Sequence, residues 1–119
     1  MKKTVVIGAS DKPEKYGYKA TVSLQQKGHE VVPVGIHEGI INGLKILTEK
    51  PEIKNVDTVT LYVGPKNQPE WYDYILSLKP KRVVFNPVTE NHEFENILSK
   101  NNIEAIEACT LVMLSIGNY

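Results

Sequence analysis

The stretch Thr4-Val-Val-Ile-Gly8-Ala9-Ser10-Asp11-Lys12-Pro13-Glu14-Lys15-Tyr16 decides the fold. Thr4 to Gly8 is continuous, β-branched and closed by glycine, the pattern of a buried strand. Tyr16 to Lys27 follows as a helix, with Tyr16, Ala20, Val22 and Leu24 as a partial apolar face and Gly28 as its stop. The turn between them suits an anion. Gly8 permits a tight bend, and the small Ala9 and Ser10 let backbone amides approach a ligand. The free N–H groups of a helix start are a ready phosphate site. Ser10 adds a hydroxyl, and Lys12 and Lys15 add charge. The dinucleotide fingerprint is not met. Its three glycine positions read Gly8, Ser10 and Pro13, and Pro13 donates no amide.

Outward from this unit the chain alternates short apolar runs with amphipathic ones. Glu30 to Val34 reads as a second strand, with Pro33 near its end because proline removes a ladder donor. Residues 35–55, interrupted by Gly39, Gly43 and Pro51, read as a loop with short pieces. Asp57 to Val63 is a strand ended by Gly64-Pro65. Pro69 opens a helix carrying Trp71, Tyr72, Ile75, Leu76 and Leu78. Arg82 to Asn86 is a strand cut by Pro87, and Glu93 to Lys100 a helix. Asn101-Asn102 is a turn, Ile103 to Ala108 the last strand, and Thr110 to Ser115 a closing helical turn. Five strands joined by helical crossovers predict an α/β domain over residues 1–119. It is a doubly wound, five-stranded parallel sheet of Rossmann-like or flavodoxin-like kind. Such sheets bind ligands outside the carboxyl ends of their strands. That rule points to Gly8-Ala9-Ser10, Pro33-Val34, Val63-Gly64, Asn86-Pro87 and Cys109.

Composition removes several classes. Lys plus Arg and Asp plus Glu both number 14, so a strongly basic nucleic-acid binder is not expected. A single cysteine builds no disulfide framework and fits a reducing cytosol. The run from Thr4 to Ala9 is too short for a signal-peptide core, and no stretch approaches a membrane span.

Candidate chemistry is sparse. An NAD binder would hold an acid at the end of its second strand. Val34 is followed there by Gly35, Ile36 and His37, with Glu38 too late for that role. Val34 could instead pack an adenine, with Lys12 or Lys45 near a ribose phosphate. Cys109 is expected as a buried structural thiol, with a reactive role at a helix start as the alternative. His92 has Glu90 and Glu93 as possible acid/base partners, against helix capping by Thr89 or Asn91. His29 reads as a surface residue and His37 as a cleft residue. No histidine or cysteine spacing suggests a metal. Trp71, Tyr72 and Tyr74 read as core or interface, which leaves Tyr16 and Tyr18 as the better ligand contacts. Leu111, Val112, Met113, Leu114 and Ile116 form an apolar patch read as core, or otherwise as a dimer contact.

Gly-Ala-Ser-x-x-Pro-x-Lys-Tyr at 8–16, His-Glu-Val-Val-Pro-Val at 29–34 and Ile41-Asn42-Gly43 resemble the small single-domain CoA-binding protein family. That family is similar to the CoA-binding domain of succinyl-CoA synthetase α subunits. Residues 85–91 and 107–112 also look like its later segments, so the likeness runs over nearly the whole chain. It implies a Rossmann-like fold with coenzyme A, free or acylated, lying across the strand ends. Gly8, Ala9, Ser10 and Tyr16 would hold phosphates, and Lys12, Lys15 or Lys45 would meet the 3′-phosphate. Pro33 and Val34 would border the adenine. Val63 and Gly64 would face the pyrophosphate or pantetheine arm, and Asn86 and Pro87 its distal part. The expected function is a CoA- or acyl-CoA-binding module without catalysis of its own. A CoA-dependent acyl or thiol transferase, an NAD(P)-type binder and a module for a protein partner or second copy are the alternatives.

Overall fold

A computed structural model describes residues 1–119. In chain order its elements are β1 (Thr4–Ile7), α1 (Tyr16–Gln26), β2 (Val31–Val34), β3 (Ile40–Ile41), β4 (Leu44–Lys45) and β5 (Thr58–Leu61). Then come α2 (Tyr72–Leu78), β6 (Arg82–Phe85), α3 (His92–Lys100), β7 (Glu104–Glu107) and α4 (Thr110–Ile116). Two 3-10 turns, Pro65–Asn67 and Pro69–Trp71, lead into α2. Five strands form one sheet in the order β2-β1-β5-β6-β7, and every pairing in it is parallel. Numbered among themselves these strands run 2-1-3-4-5, the doubly wound order of the flavodoxin type. The stretch read as a loop with short pieces carries the antiparallel β3–β4 hairpin.

The side-chain alternation of the strands builds two cores. Val5 and Ile7 of β1, Val59 and Leu61 of β5, and Val83 and Phe85 of β6 pack against Ile75 and Leu78 of α2 and Phe94 and Leu98 of α3. On the opposite face Val6 and Val31 pack against Leu24 of α1, Leu114 of α4 and Ile41 of the hairpin. All eight residues of β1 and β5 are buried, as inner strands of a parallel sheet covered on both faces should be. Pro33 falls on the edge strand β2, where the sheet tolerates its missing donor.

Two local details were not anticipated. Tyr119 docks under the amino ends of the strands: its hydroxyl lies 2.6 Å from Thr4 Oγ1, and its ring sits 4.5 Å from the Arg82 guanidinium and edge-on to His29. His29, read as a surface residue, is therefore half-buried, and its Nδ1 accepts the Lys2 backbone N–H at 3.0 Å. The C-terminal apolar patch divides. Met113 and Leu114 are core, whereas Val112 and Ile116 point outward from α4.

Candidate functional site

The strand order reverses between β1 and β5, so a crevice opens between their carboxyl ends. Backbone contact packs this point closely. Gly8 has φ +91°, and a Cβ there would lie 2.5 Å from the Tyr62 carbonyl oxygen just beyond β5. The N–H groups of Gly8 and Ala9 both donate to the Val34 carbonyl, at 2.9 and 3.0 Å, which ties the loop to β2. Two further glycines, missed in the sequence reading, complete the packing. A Cβ on Gly17, in the first turn of α1, would lie 2.6 Å from the Gly8 carbonyl oxygen. One on Gly35 would lie 2.5 Å from that of Ala9. Glycine is a poor helix former, so its presence in a first turn was the available signal.

The exposed arc from Asp11 to Tyr16 follows. Ser10 Oγ accepts the Lys12 N–H at 3.2 Å, and the Lys15 N–H donates to the Lys12 carbonyl at 3.0 Å. No side chain caps α1, and no acidic residue stands in its first turn. Its leading N–H groups and positive dipole end therefore meet no protein carboxylate. Lys12, Lys15 and Tyr16 are exposed around them, with the Lys19 ammonium 5.1 Å from the Tyr16 ring. Chemically the arc offers the leading N–H groups of α1, the Ser10 hydroxyl proton and exposed cations to an anion. Tyr18 is half-buried against the core.

The other strand ends are set differently. Pro33 and Val34 are buried, and the Val34 carbonyl is taken by the loop. Gly64 is open, with nothing within 4 Å of an added Cβ. Asn86 is buried and engaged. Its Nδ2 donates to Thr60 Oγ1 at 2.6 Å and to the Leu61 carbonyl at 2.8 Å, while its Oδ1 accepts the Thr110 N–H at 2.9 Å. The side chain thus staples β5, β6 and α4 together beneath the crevice. Pro87 is exposed beyond it. Buried Gln68 does similar work one loop away. Its Nε2 donates to the Val63 and Thr89 carbonyls at 2.8 and 2.7 Å, and its Oε1 accepts Asn91 Nδ2 at 2.9 Å.

Several candidates are placed away from their expected roles. Cys109 is half-buried rather than buried, because it is the N-cap residue between the edge strand β7 and α4. It lies near Tyr62, whose buried hydroxyl stands beside Thr60 and Thr110. Burial first, then proximity to Cys109, pushes that hydroxyl above the usual tyrosine range. His92 pairs with neither Glu90 nor Glu93. Its Nε2 is 3.7 Å from Glu107 Oε2 on β7, while Glu93 accepts the Tyr72 hydroxyl at 3.2 Å. Asn91 caps α3, its Oδ1 accepting the Phe94 N–H at 3.1 Å. His92, Glu95 and Glu107 bring their ligand atoms within 4.8 Å of one another at the sheet's edge. Partial burial, then the neighbouring Glu107, raises the Glu95 pKa. Trp71 is buried and Tyr72 stacks on Phe94 at 4.2 Å, so neither is a free platform. His37 is exposed.

A cavity of about 960 Å³ lies at the opposite end of the sheet, lined by Lys3, Lys50, Lys54, Lys79 and Lys81 together with Glu52 and Asp57. It is an open trough between surface lysines, and no helix N-terminus lines it. The strand-end crevice differs in that the uncapped N-terminus of α1 opens there. No helix is long and apolar enough to cross a membrane.

Comparison with known proteins agrees with this fold. A solved structure of an uncharacterized protein superposes with a TM-score of 0.98 at 55% identity, covering 100% of this chain and 98% of that one. A conserved hypothetical protein from Pyrococcus furiosus matches at 31% identity and TM-score 0.82, over 94% of this chain and 98% of its own. A hypothetical protein from Pyrococcus horikoshii OT3, at 24% identity and TM-score 0.87, shares the fold over 97% of this chain and 82% of its own. No curated protein matches the chain. The model of the CoA binding domain matches residues 2–115, and with that coverage the chain belongs to the CoA binding domain family.

Proposed function

We propose that this protein binds coenzyme A or an acyl-CoA in the crevice between β1 and β5 and performs no reaction on it. The observation that carries the reading is the glycine-packed loop ending in an uncapped helix N-terminus. Backbone donors held in advance bind phosphate without first ordering a loop. In this reading the pyrophosphate sits on Gly8, Ala9, Ser10 and Tyr16, and Lys12 or Lys15 meets the 3′-phosphate. The adenine lies toward Pro33 and Val34. The pantetheine arm runs over Val63 and Gly64 toward Asn86 and Pro87. Asn86 holds the floor through its buried amide, while Pro87 faces the ligand. The absence of an assigned reaction rests on what surrounds the reactive groups. Cys109 lies beside Tyr62 and Thr110 rather than a histidine, and the two partnered histidines are held elsewhere, by Lys2 and by Glu107.

Thermal shift of the dialysed protein with CoA, dephospho-CoA, NAD and NADP tests the reading. CoA at 100 times its Kd should add about 2.7 kcal/mol of stability. Lys12→Ala with Lys15→Ala should weaken CoA more than dephospho-CoA. No shift with CoA, or a larger one with NAD, overturns it.

A further inference from the structure

One residue at the rim of the crevice breaks a local rule. Val88, between β6 and α3, has φ +68°. A β-branched side chain in the left-handed region is a true outlier. The turn explains how it is held. The Thr89 N–H donates to the Asn86 carbonyl at 2.9 Å, closing a four-residue turn over Pro87 and Val88. Proline second and positive φ third is the type II pattern, whose third position favours glycine or asparagine. Thr89 Oγ1 adds a second bond to the same carbonyl at 2.7 Å, and Gln68 Nε2 grips the Thr89 carbonyl at 2.7 Å. These groups are buried, yet Val88 itself is 84% exposed. The molecule thus spends buried polar contacts to hold an apolar side chain, in a strained conformation, out in water. The Val88 side chain itself is not buried by this arrangement, and strain of this kind collects at ligand clamps.

We propose that Val88 is a ligand-contacting residue that selects a neutral aliphatic acyl group on the coenzyme A thiol. The inference rests on the coenzyme A reading and extends it to the substrate class. Val88 stands at the carboxyl end of β6, two strands along from the phosphate loop on β1. At about 4.8 Å per strand that is roughly 10 Å, the side toward which the arm runs. The exposed side chains there are apolar or acidic apart from His92, whose Nε2 is 3.7 Å from Glu107 Oε2. Pro87 and Val88 are exposed, the amide of Asn86 is saturated by protein partners, and Glu90 and Glu93 follow, both exposed. The segment from Asn86 to Glu93 contains no lysine or arginine to receive a carboxylated acyl group.

The test is calorimetric titration with CoA, butyryl-CoA and succinyl-CoA on the wild type, Val88→Gly and Val88→Asn. Glycine and asparagine both fit the backbone, so each variant should melt at or above the wild-type temperature. The wild type should bind butyryl-CoA about five- to tenfold tighter than CoA, from partial burial of the alkyl chain. Succinyl-CoA should bind no better than CoA. Both variants should keep the affinity for CoA and bring butyryl-CoA within twofold of it. A wild type without the butyryl preference, or variants that retain it, refutes the role of Val88 while leaving coenzyme A binding intact. A wild type that binds none of the three refutes both.

Discussion

Gly17→Ala sets two effects of opposite sign against each other. Alanine in place of a helical glycine gains up to about 1 kcal/mol from propensity. Against it stands the new Cβ, 2.6 Å from the Gly8 carbonyl oxygen and 3.3 Å from Ala9 Cα. Relief requires α1 and the β1–α1 loop to separate by roughly 0.7 Å, and overpacking of this kind costs about 1–3 kcal/mol. The loop cannot yield freely, because Gly8 also abuts Tyr62 and its amide is bonded to Val34. The clash should win by about 1–2 kcal/mol. At an unfolding entropy near 2.1 cal/mol/K per residue, that lowers Tm by about 4–8 °C. CoA affinity should fall as well, since the shift displaces the uncapped N-terminus of α1, which holds the phosphates in the proposed reading. Scanning calorimetry and titration read both effects. Gly64→Ala is the stability control: its Cβ would touch nothing, and Tm should hold or rise. A Gly17→Ala protein that melts higher than the wild type and binds CoA as tightly would refute the close-packing argument.

Asn86→Ala should cost about 2–4 kcal/mol in urea unfolding, because it strands the buried Thr110 N–H and Leu61 carbonyl; a loss under 1 kcal/mol would show that water replaces the amide. The His29 pKa is lowered by burial first, then by the N-terminal charge. The unfolded chain therefore binds the proton first, and stability should decline as pH falls from about 6.5 toward the folded pKa, by less than about 1 kcal/mol at this half-exposed site. His29→Gln should flatten the urea midpoint between pH 7 and 5, and an unchanged slope would assign it to other groups. Glu95 carries the opposite sign: with its folded pKa raised, stability is lost as pH rises from about 4.5 through that value. Glu95→Gln, which keeps an oxygen for the Asn91 N–H, should raise stability at pH 7 by up to about 0.5 kcal/mol and leave it unchanged at pH 4. A drop at pH 7 would mean that the charge is used.

The sequence by itself determined the elements and the class. The β-branched runs at 4–7, 31–34, 58–61 and 82–85 are strands because their neighbours in the chain leave them no amphipathic face to expose. Glycine and proline mark their ends, and helical stretches between them force parallel pairing. The tight loop between β1 and α1 was legible for the same reason: the bend, the small residues and the helix start are consecutive. What only the tertiary structure decided depends on segments far apart in the chain. Gly17 and Gly35 matter because the Gly8 and Ala9 carbonyls come within 2.6 Å of where a side chain would stand. Asn86 and Gln68 read locally as loop polar residues, and they are buried staples because three elements converge on each. His92 finds Glu107 rather than its sequence neighbours, because α3 lies along β7 and brings a residue fifteen positions away closer than those beside it. Hydrophobic periodicity is a property of one segment, whereas burial of a polar group and closeness of two backbones are properties of pairs. The former can be read along the chain; the latter exist only once the chain has folded.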